Sequence, residues 1–279
     1  MSAPAPPRVA LVLVAALIGV SAAGTLVRLA PDAHPLAVAF WRTAAVAALL
    51  SPTLVRVSRR DLGLVALAGL LLAAHFWAWI TSLHHTSVMR STVLVCLTPV
   101  WAGVLEAAFF GAHPPRRFWG GVAVALGGIA LMSGEIGDAD LMGDGLATLG
   151  GTLSAAYLVV GRSVRQRVAI GPYGALVCGA CALWLLLPIV AGGVPLTGFS
   201  RQTWYVLAAL ALGPQLLGHV GFNYAVGYVP AAVVSAVILL EPVGATLLAA
   251  AVLGEIPSPR EVSGGVVVLL GVAVATRRG

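Results

Sequence analysis

The chain has 279 residues, of which 59% are hydrophobic and only 9% charged, with a mean hydropathy of +0.99. A soluble domain carries roughly 25% charged residues, so an ordinary soluble fold is excluded and an integral membrane protein is indicated. All 16 basic residues are arginines scattered between apolar runs, so the net charge of +6 belongs to loops and provides no stripe for nucleic acid.

The N-terminal MSAPAPPR is too short and too poor in basic residues for a cleavable leader, and the apolar run behind it reads as a retained span. Cutting the chain at Arg, Asp, His, Pro and Gly clusters leaves ten apolar windows, most of them about 17 to 23 residues long, the length that crosses ~30 Å of hydrocarbon as a helix. They are Val9–Leu29, Leu36–Val55, Leu62–Thr81, Ser87–Phe110, Phe118–Met132, Gly143–Val160, Tyr173–Ala191, Tyr205–Tyr224, Ala231–Leu253 and Val262–Thr276. The predicted fold class is therefore an all-α membrane protein with ten transmembrane helices.

The second window contains Arg42, a charge deep in apolar surroundings. The third, AAHFWAWITSLHH, sets His75 and Trp79 four residues apart on one helix face, while Trp77 points elsewhere, toward lipid or the membrane interface. His84 and His85 follow at its outer end without a second pair at metal-ligand spacing, so no metal site is expected. In the fourth window Pro99 should kink the helix, with Trp101 two residues beyond either as a candidate cavity wall or as a helix-packing residue. Glu106, near the cytoplasmic end and close in sequence to Arg116 and Arg117, reads as an interfacial snorkelling charge. The acidic connector GEIGDADLMGDG, with Asp138, Asp140 and Asp144, lacks calcium-loop spacing and reads as a solvated linker.

Cys96, Cys178 and Cys181 lie within apolar windows, and the CGAC in the seventh lacks the βαβ context of a redox motif; these read as small core residues. The eighth window, LLGHVGFNYAVGY, repeats the spacing of the third with His219 and Asn223, 144 positions on. These histidines either line a central cavity or serve in packing. The ninth, VVSAVILLEPVGATLLAAAVLGE, is interrupted by Glu241 and Pro242. Pro242 lacks an N–H and clashes with the carbonyl of Ile238, so a kink is expected. Glu241 then either accepts hydrogen bonds at the loosened turn or titrates and meets a cationic group. Arg42 and Glu241 differ in expected depth by only ~7 Å. Arg42 is accordingly either the partner of Glu241 or the anchor of a substrate carboxylate.

A shift of 143 positions aligns LTPVWAGVLEAAFFGAHPPRRFWGGVAVALGGIA with LEPVGATLLAAAVLGEIPSPREVSGGVVVLLGVA, pairing Pro99 with Pro242, Gly121 with Gly264 and Gly128 with Gly271. Each copy holds five windows, an odd number, so the second enters the membrane from the opposite side, as in many secondary carriers. With the N-terminus inside, eleven arginines fall in inner loops and tails against four (Arg28, Arg90, Arg201, Arg260) outside, which places both termini in the cytoplasm. Small residues such as Gly120, Gly121, Gly264 and Gly265 are expected to let helices approach closely.

AFWRTAAVAALL in the second window, TPVWAGVLEAAFFGAHPP ending the fourth and LEPVGATLLAAAVLGEIPS ending the ninth resemble the EamA-type branch of the drug/metabolite transporter superfamily. One departure is Ala112–His113, where the first copy lacks the acid that Glu255 supplies in the second. The resemblance implies two EamA-like five-helix repeats, residues 1–134 and 143–279, the second inverted, in a cell inner membrane. It further implies a secondary transporter that moves a small organic metabolite outward by alternating access.

Arg42 with Glu241 suits a zwitterion, and the histidines with tryptophan suit an aromatic group, so amino acids and related compounds lead. Expected partners are that small-molecule substrate, the lipid bilayer and, as a candidate coupling ion, protons, with no nucleic acid and no cofactor. An enzyme is not expected, since H-E-x-x-H, G-x-x-x-x-G-K and paired intramembrane aspartates are all missing. The competing reading is a membrane sensor or scaffold that binds a metabolite or lipid without moving it.

Overall fold

The computed structural model describes residues 6–82, 85–86, 91, 94–133, 140–253 and 256–277. His84, Arg90, Asp138, Gly254 and Glu255 lie outside the described residues. Helices dominate: α1 (Pro7–Ser21), α2 (Ala23–Arg28), α3 (Pro35–Leu50), α4 (Arg59–Ser82), α5 (Thr98–Phe110), α6 (Arg116–Ser133), α7 (Leu141–Arg165), α8 (Ile170–Ala191), α9 (Arg201–Leu210), α10 (Gly221–Val226), α11 (Ala231–Ile238), α12 (Glu241–Leu253) and α13 (Pro259–Thr276). Among the described residues, seven helical stretches are long and apolar enough to cross a membrane: Pro7–Val27, Pro35–Thr53, Arg59–Ser82, Ile170–Ala191, Arg201–Val226, Ala231–Leu248 and Pro259–Thr276. The chain is thus a multi-pass membrane protein. α5 is apolar but shorter, while α6 opens on two arginines and is diluted by glycines, and α7 mixes Thr, Ser and Gly into its apolar run.

Local chemistry explains where several helices begin. Pro7, Pro35 and Pro259 stand in first turns, where a missing N–H costs nothing. Ser200 caps α9 through Thr203 N–H, and Ser258 with Glu261 forms a reciprocal capping box on α13. Between α9 and α10 the chain runs as a π-helix, Ala211–Val220. Its Pro214 has no N–H for the regular ladder, and widened turns accommodate such a residue.

The fourth and ninth windows are each broken at equivalent positions. α11 ends before a turn at Leu239–Leu240, whose N–H groups donate to Ala236 and Val237 carbonyls at 3.3 and 3.0 Å. The matching turn, 143 positions earlier, is Cys96–Leu97, with Leu97 N–H donating to Leu94 at 3.2 Å. Pro99 and Pro242 therefore occupy the first turn of a new helix. Glu241 and its repeat counterpart Thr98 each open that helix.

The described residues form two compact units, each drawing on both halves of the chain. One comprises Met1–Trp77 and Val160–Val229, the other Ala78–Val159 and Pro230–Gly279. In the first unit α3 packs along α8, and α1 along the π-helix. A methyl placed on Gly19 would lie 2.8 Å from the Gly213 carbonyl oxygen, so these backbones nearly touch. At one end Asp32 accepts the Ser200 N–H at 2.6 Å and the Thr203 hydroxyl. At the other, Asp61 accepts Arg167 at 2.5 Å and the Ser58 hydroxyl at 2.7 Å.

In the second unit α6 and α13 run antiparallel in close contact. A methyl on Gly121 would lie 2.4 Å from Ala275 N, and one on Gly271 2.4 Å from Ala125 N; Gly128 and Gly264 approach each other's helices at 2.7 and 2.6 Å. Gly121 faces Gly271 and Gly264 faces Gly128, so the two contacts are repeat counterparts of each other. The surrounding core cluster contains both members of three repeat-matched pairs, Cys96 and Leu239, Ala125 and Val268, and Ile129 and Val272, each 143 positions apart.

This corrects the expectation for Gly120 and Gly265: nothing lies within 4 Å of the Gly120 position and Gly265 makes only ordinary contact, because both sit off the crossing line. A second correction concerns Glu106. It is only 1% exposed, not an interfacial snorkelling charge. Its two carboxylate oxygens accept the N–H groups of Ala231 and Ala232 at 2.8 and 3.1 Å, capping α11 from another helix. The cap is needed because Pro230, at the N-cap position, has no side-chain oxygen to offer.

Candidate functional site

Arg42 stands midway along α3, about 10–12 Å from either end at 1.5 Å per residue. It is 2% exposed. Its Nε donates to Gln215 Oε1 at 3.0 Å, and its guanidinium carbon lies 4.7 Å from the Phe76 ring centroid. Gln215, fully buried on the π-helix, directs its amide nitrogen to Cys178 Sγ at 3.5 Å. A planar guanidinium can stack on an aromatic face and hydrogen-bond at its edge simultaneously, which is how such a charge is carried inside a span.

His75 and His219 meet beside this group. Their ring centroids are 6.3 Å apart, and Phe76 stands edge-on to His219 at 5.3 Å. Four residues further along, Asn223 donates its side-chain amide to the His219 carbonyl at 2.6 Å, and its main-chain carbonyl accepts Arg165 Nε at 3.0 Å. Arg42, His75, His219 and Asn223 thus belong to the first unit, with α3, α4, α8 and the π-helix to α10 stretch supplying the cluster. The wide turns of the π-helix carry Gln215 and His219, and such turns concentrate at functional sites.

Trp79, Trp101 and Glu241 belong to the second unit. Trp79 lies on the same helix as His75, with its backbone against Gly150. Trp101 packs beside Ala102, Phe118 and Ala232, and its buried indole N–H has no hydrogen-bond partner. Glu241 opens α12, where a carboxylate complements the positive end of the helix dipole. Trp77 is 44% exposed on the outer surface of α4.

Sequence reading missed Gln215, Phe76 and Cys178 as members of the Arg42 group. The available signal was PQLLGH, where a lone amide precedes a histidine by four residues inside an apolar run. Among the described residues no group of three His, Cys, Asp or Glu side chains could hold a metal ion.

Comparison with known proteins fits this architecture. The model of the EamA-like transporter family matches residues 7–134 and again 141–277. The chain belongs to that family. This transporter-family member is 28% identical over 253 residues to a protein of Streptantibioticus cattleyicolor named probable terminal-alkyne amino-acid exporter, covering 84% of this chain and 80% of that one. It is 27% identical over 268 residues to the uncharacterized transporter YwfM of Bacillus subtilis, covering 90% and 88%. A solved structure described as the crystal structure of a protein superposes with a TM-score of 0.79, at 19% identity and covering 96% of both chains, and shares the fold.

Proposed function

We propose that this EamA-family protein is a secondary transporter that exports a small organic metabolite, with amino acids and related compounds as the favoured class. The observation that carries the reading is the Arg42 group. A guanidinium halfway along a span, edge-bonded to Gln215 and stacked on Phe76, is an anchor for a carboxylate, and the His75–His219 pair beside it offers contacts for polar or aromatic groups. The relative named as an amino-acid exporter supports the same substrate class.

Alternating access between two inverted five-helix repeats, residues 1–134 and 143–279, is the mechanism we infer. The reciprocal contact of Gly121 with Gly271 and Gly264 with Gly128 supports it, since such self-complementary contacts are typical of a two-fold relation. The antiparallel course of α6 and α13 fits repeats of opposite orientation. The ten-span count rests on the apolar windows, the cytoplasmic termini on the arginine distribution and the inner-membrane location on the family resemblance, with protons as candidate coupling ion.

The test is counterflow of labelled amino acids in proteoliposomes containing the purified protein. Wild type should accumulate label against an internal pool. Arg42→Lys should lower the rate about tenfold, the equivalent of ~1.4 kcal/mol, because an ammonium cannot reproduce the planar fork. His75→Ala and His219→Ala should each reduce counterflow while leaving expression intact. No counterflow of any amino acid, with thermal stabilisation by the same compounds, would favour a metabolite-binding sensor instead.

A further inference from the structure

Two membrane spans meet at their ends where Pro7–Val27 stops and Arg201–Val226 starts. α2 packs on α9 there, with Leu26 against the core of Val206, Leu207 and Leu210. The seam between the two helices is not filled. A groove of about 470 Å³ remains, floored by Leu26, Val206 and Ala209, walled by the exposed Leu29 and Tyr205, with Arg201 and Gln202 at its rim. Its volume falls in the range of small-molecule sites, about 300–1,000 Å³. From the groove Tyr205, Ala209 and Leu212 follow at helical spacing on one face, and Leu212 is exposed, so the apolar surface continues toward the middle of the span.

The rim is cationic. Arg201 Nε donates to Tyr205 Oη at 2.9 Å, and its guanidinium carbon lies 5.6 Å from the centroid of that ring, which holds the side chain along the groove wall. Among the described residues no carboxylate pairs with it, because Asp32, the acid on the adjoining loop, accepts from Ser200 and Thr203 instead. Gln202 reaches across the seam to the Leu29 carbonyl at 3.3 Å and keeps a second amide hydrogen to donate. An open apolar trough at the end of two spans, topped by a guanidinium, is complementary to an amphiphile with an anionic head and a long acyl chain.

We propose that the groove between α2 and α9 binds an anionic phospholipid, with Arg201 and Gln202 on its phosphate and an acyl chain along Leu26, Val206 and Ala209 toward Leu212. The bound lipid would bridge the six-residue α2 to α9. A free phosphate would use the rim alone and leave the trough without an occupant. The site is separate from the Arg42 group, which stands midway along its span, and does not depend on the transporter reading.

Native mass spectrometry of the full chain, released from detergent micelles holding equimolar phosphatidylglycerol and phosphatidylcholine with identical acyl chains, tests the site. Wild type should retain phosphatidylglycerol about fivefold more than phosphatidylcholine, the share of one arginine at a lipid surface. Arg201→Gln should bring that ratio close to one. Ala209→Trp, which fills the trough and keeps Arg201, should lower phosphatidylglycerol retention several-fold. Arg260→Gln, which removes an exposed arginine at the start of α13, should keep the wild-type ratio. In thermal melts phosphatidylglycerol should raise the melting temperature and inorganic phosphate should not. Equal retention of the two lipids by wild type overturns the proposal, even if Arg201→Gln fails to fold. So does a ratio that Arg201→Gln preserves, or one that Arg260→Gln lowers equally, which would mark general attraction to a basic protein. Retention unchanged in Ala209→Trp, or stabilisation by inorganic phosphate equal to that by the lipid, also overturns it and reduces the rim to a surface anion contact.

Discussion

Asp32 shows how one exposed carboxylate ties a loop to a helix start. The Ser200 N–H, and then the Thr203 hydroxyl, hold its pKa below the usual aspartate range. A group whose folded pKa is depressed adds stability above its unfolded pKa, and that stability fades as pH falls through the folded value. Asp32→Asn should therefore melt below wild type near neutral pH, and the gap should close as the pH drops below about 4, as thermal unfolding in detergent at several pH values would show. Glu241 invites a different pair of variants. If its charge serves coupling or a cationic substrate group, Glu241→Gln should fold normally yet lose concentrative uptake or its pH dependence. If it serves only the start of α12, Gln should transport normally while Glu241→Leu loses about 1–3 kcal/mol of stability.

At the scale of elements, the crossing of α6 and α13 depends on missing side chains. A methyl at Gly121 would press within 2.4 Å of a backbone nitrogen, whereas the adjacent Gly120 faces open space. Gly121→Ala should thus cost about 1–3 kcal/mol through forced backbone separation, and Gly120→Ala should be tolerated, as comparative thermal melts would reveal. Gly271→Ala should behave like Gly121→Ala, because each meets the other's helix. Proline positions were legible from sequence, but their effect was not fully so. Pro99 and Pro242 each sit one residue after the start of a fresh helix, and the break falls at Cys96–Leu97 and Leu239–Leu240, where i to i−3 hydrogen bonds let the chain turn without exposing amides.

For the whole molecule, the internal repeat and the compact units are different divisions of one chain. The repeat divides it by sequence, near the acidic connector, while each compact unit gathers helices from both halves. An inverted arrangement makes a definite prediction for topology. On a background with Cys96, Cys178 and Cys181 replaced, single cysteines at Thr197 and Ser258 should react with an impermeant reagent from outside the cell. Those at Arg60 and Arg117 should react only after permeabilisation. Labelling of Arg117→Cys from outside would remove the inverted-repeat argument.

The membrane class and the positions of seven of the apolar helices were legible from sequence alone, because lipid requires long apolar windows and helical hydrogen bonding, both local properties of the chain. The matched spacing of His75 with His219 was local information too, and these rings do meet at 6.3 Å. Gln215 as the partner of Arg42 lies 173 positions away, and Glu106 caps a helix 125 positions away. Neither pairing leaves a mark in local pattern, since an amide or a carboxylate in an apolar run looks the same whatever it will face. Only tertiary packing, which must satisfy every buried donor and acceptor where water is excluded, decided which groups came together.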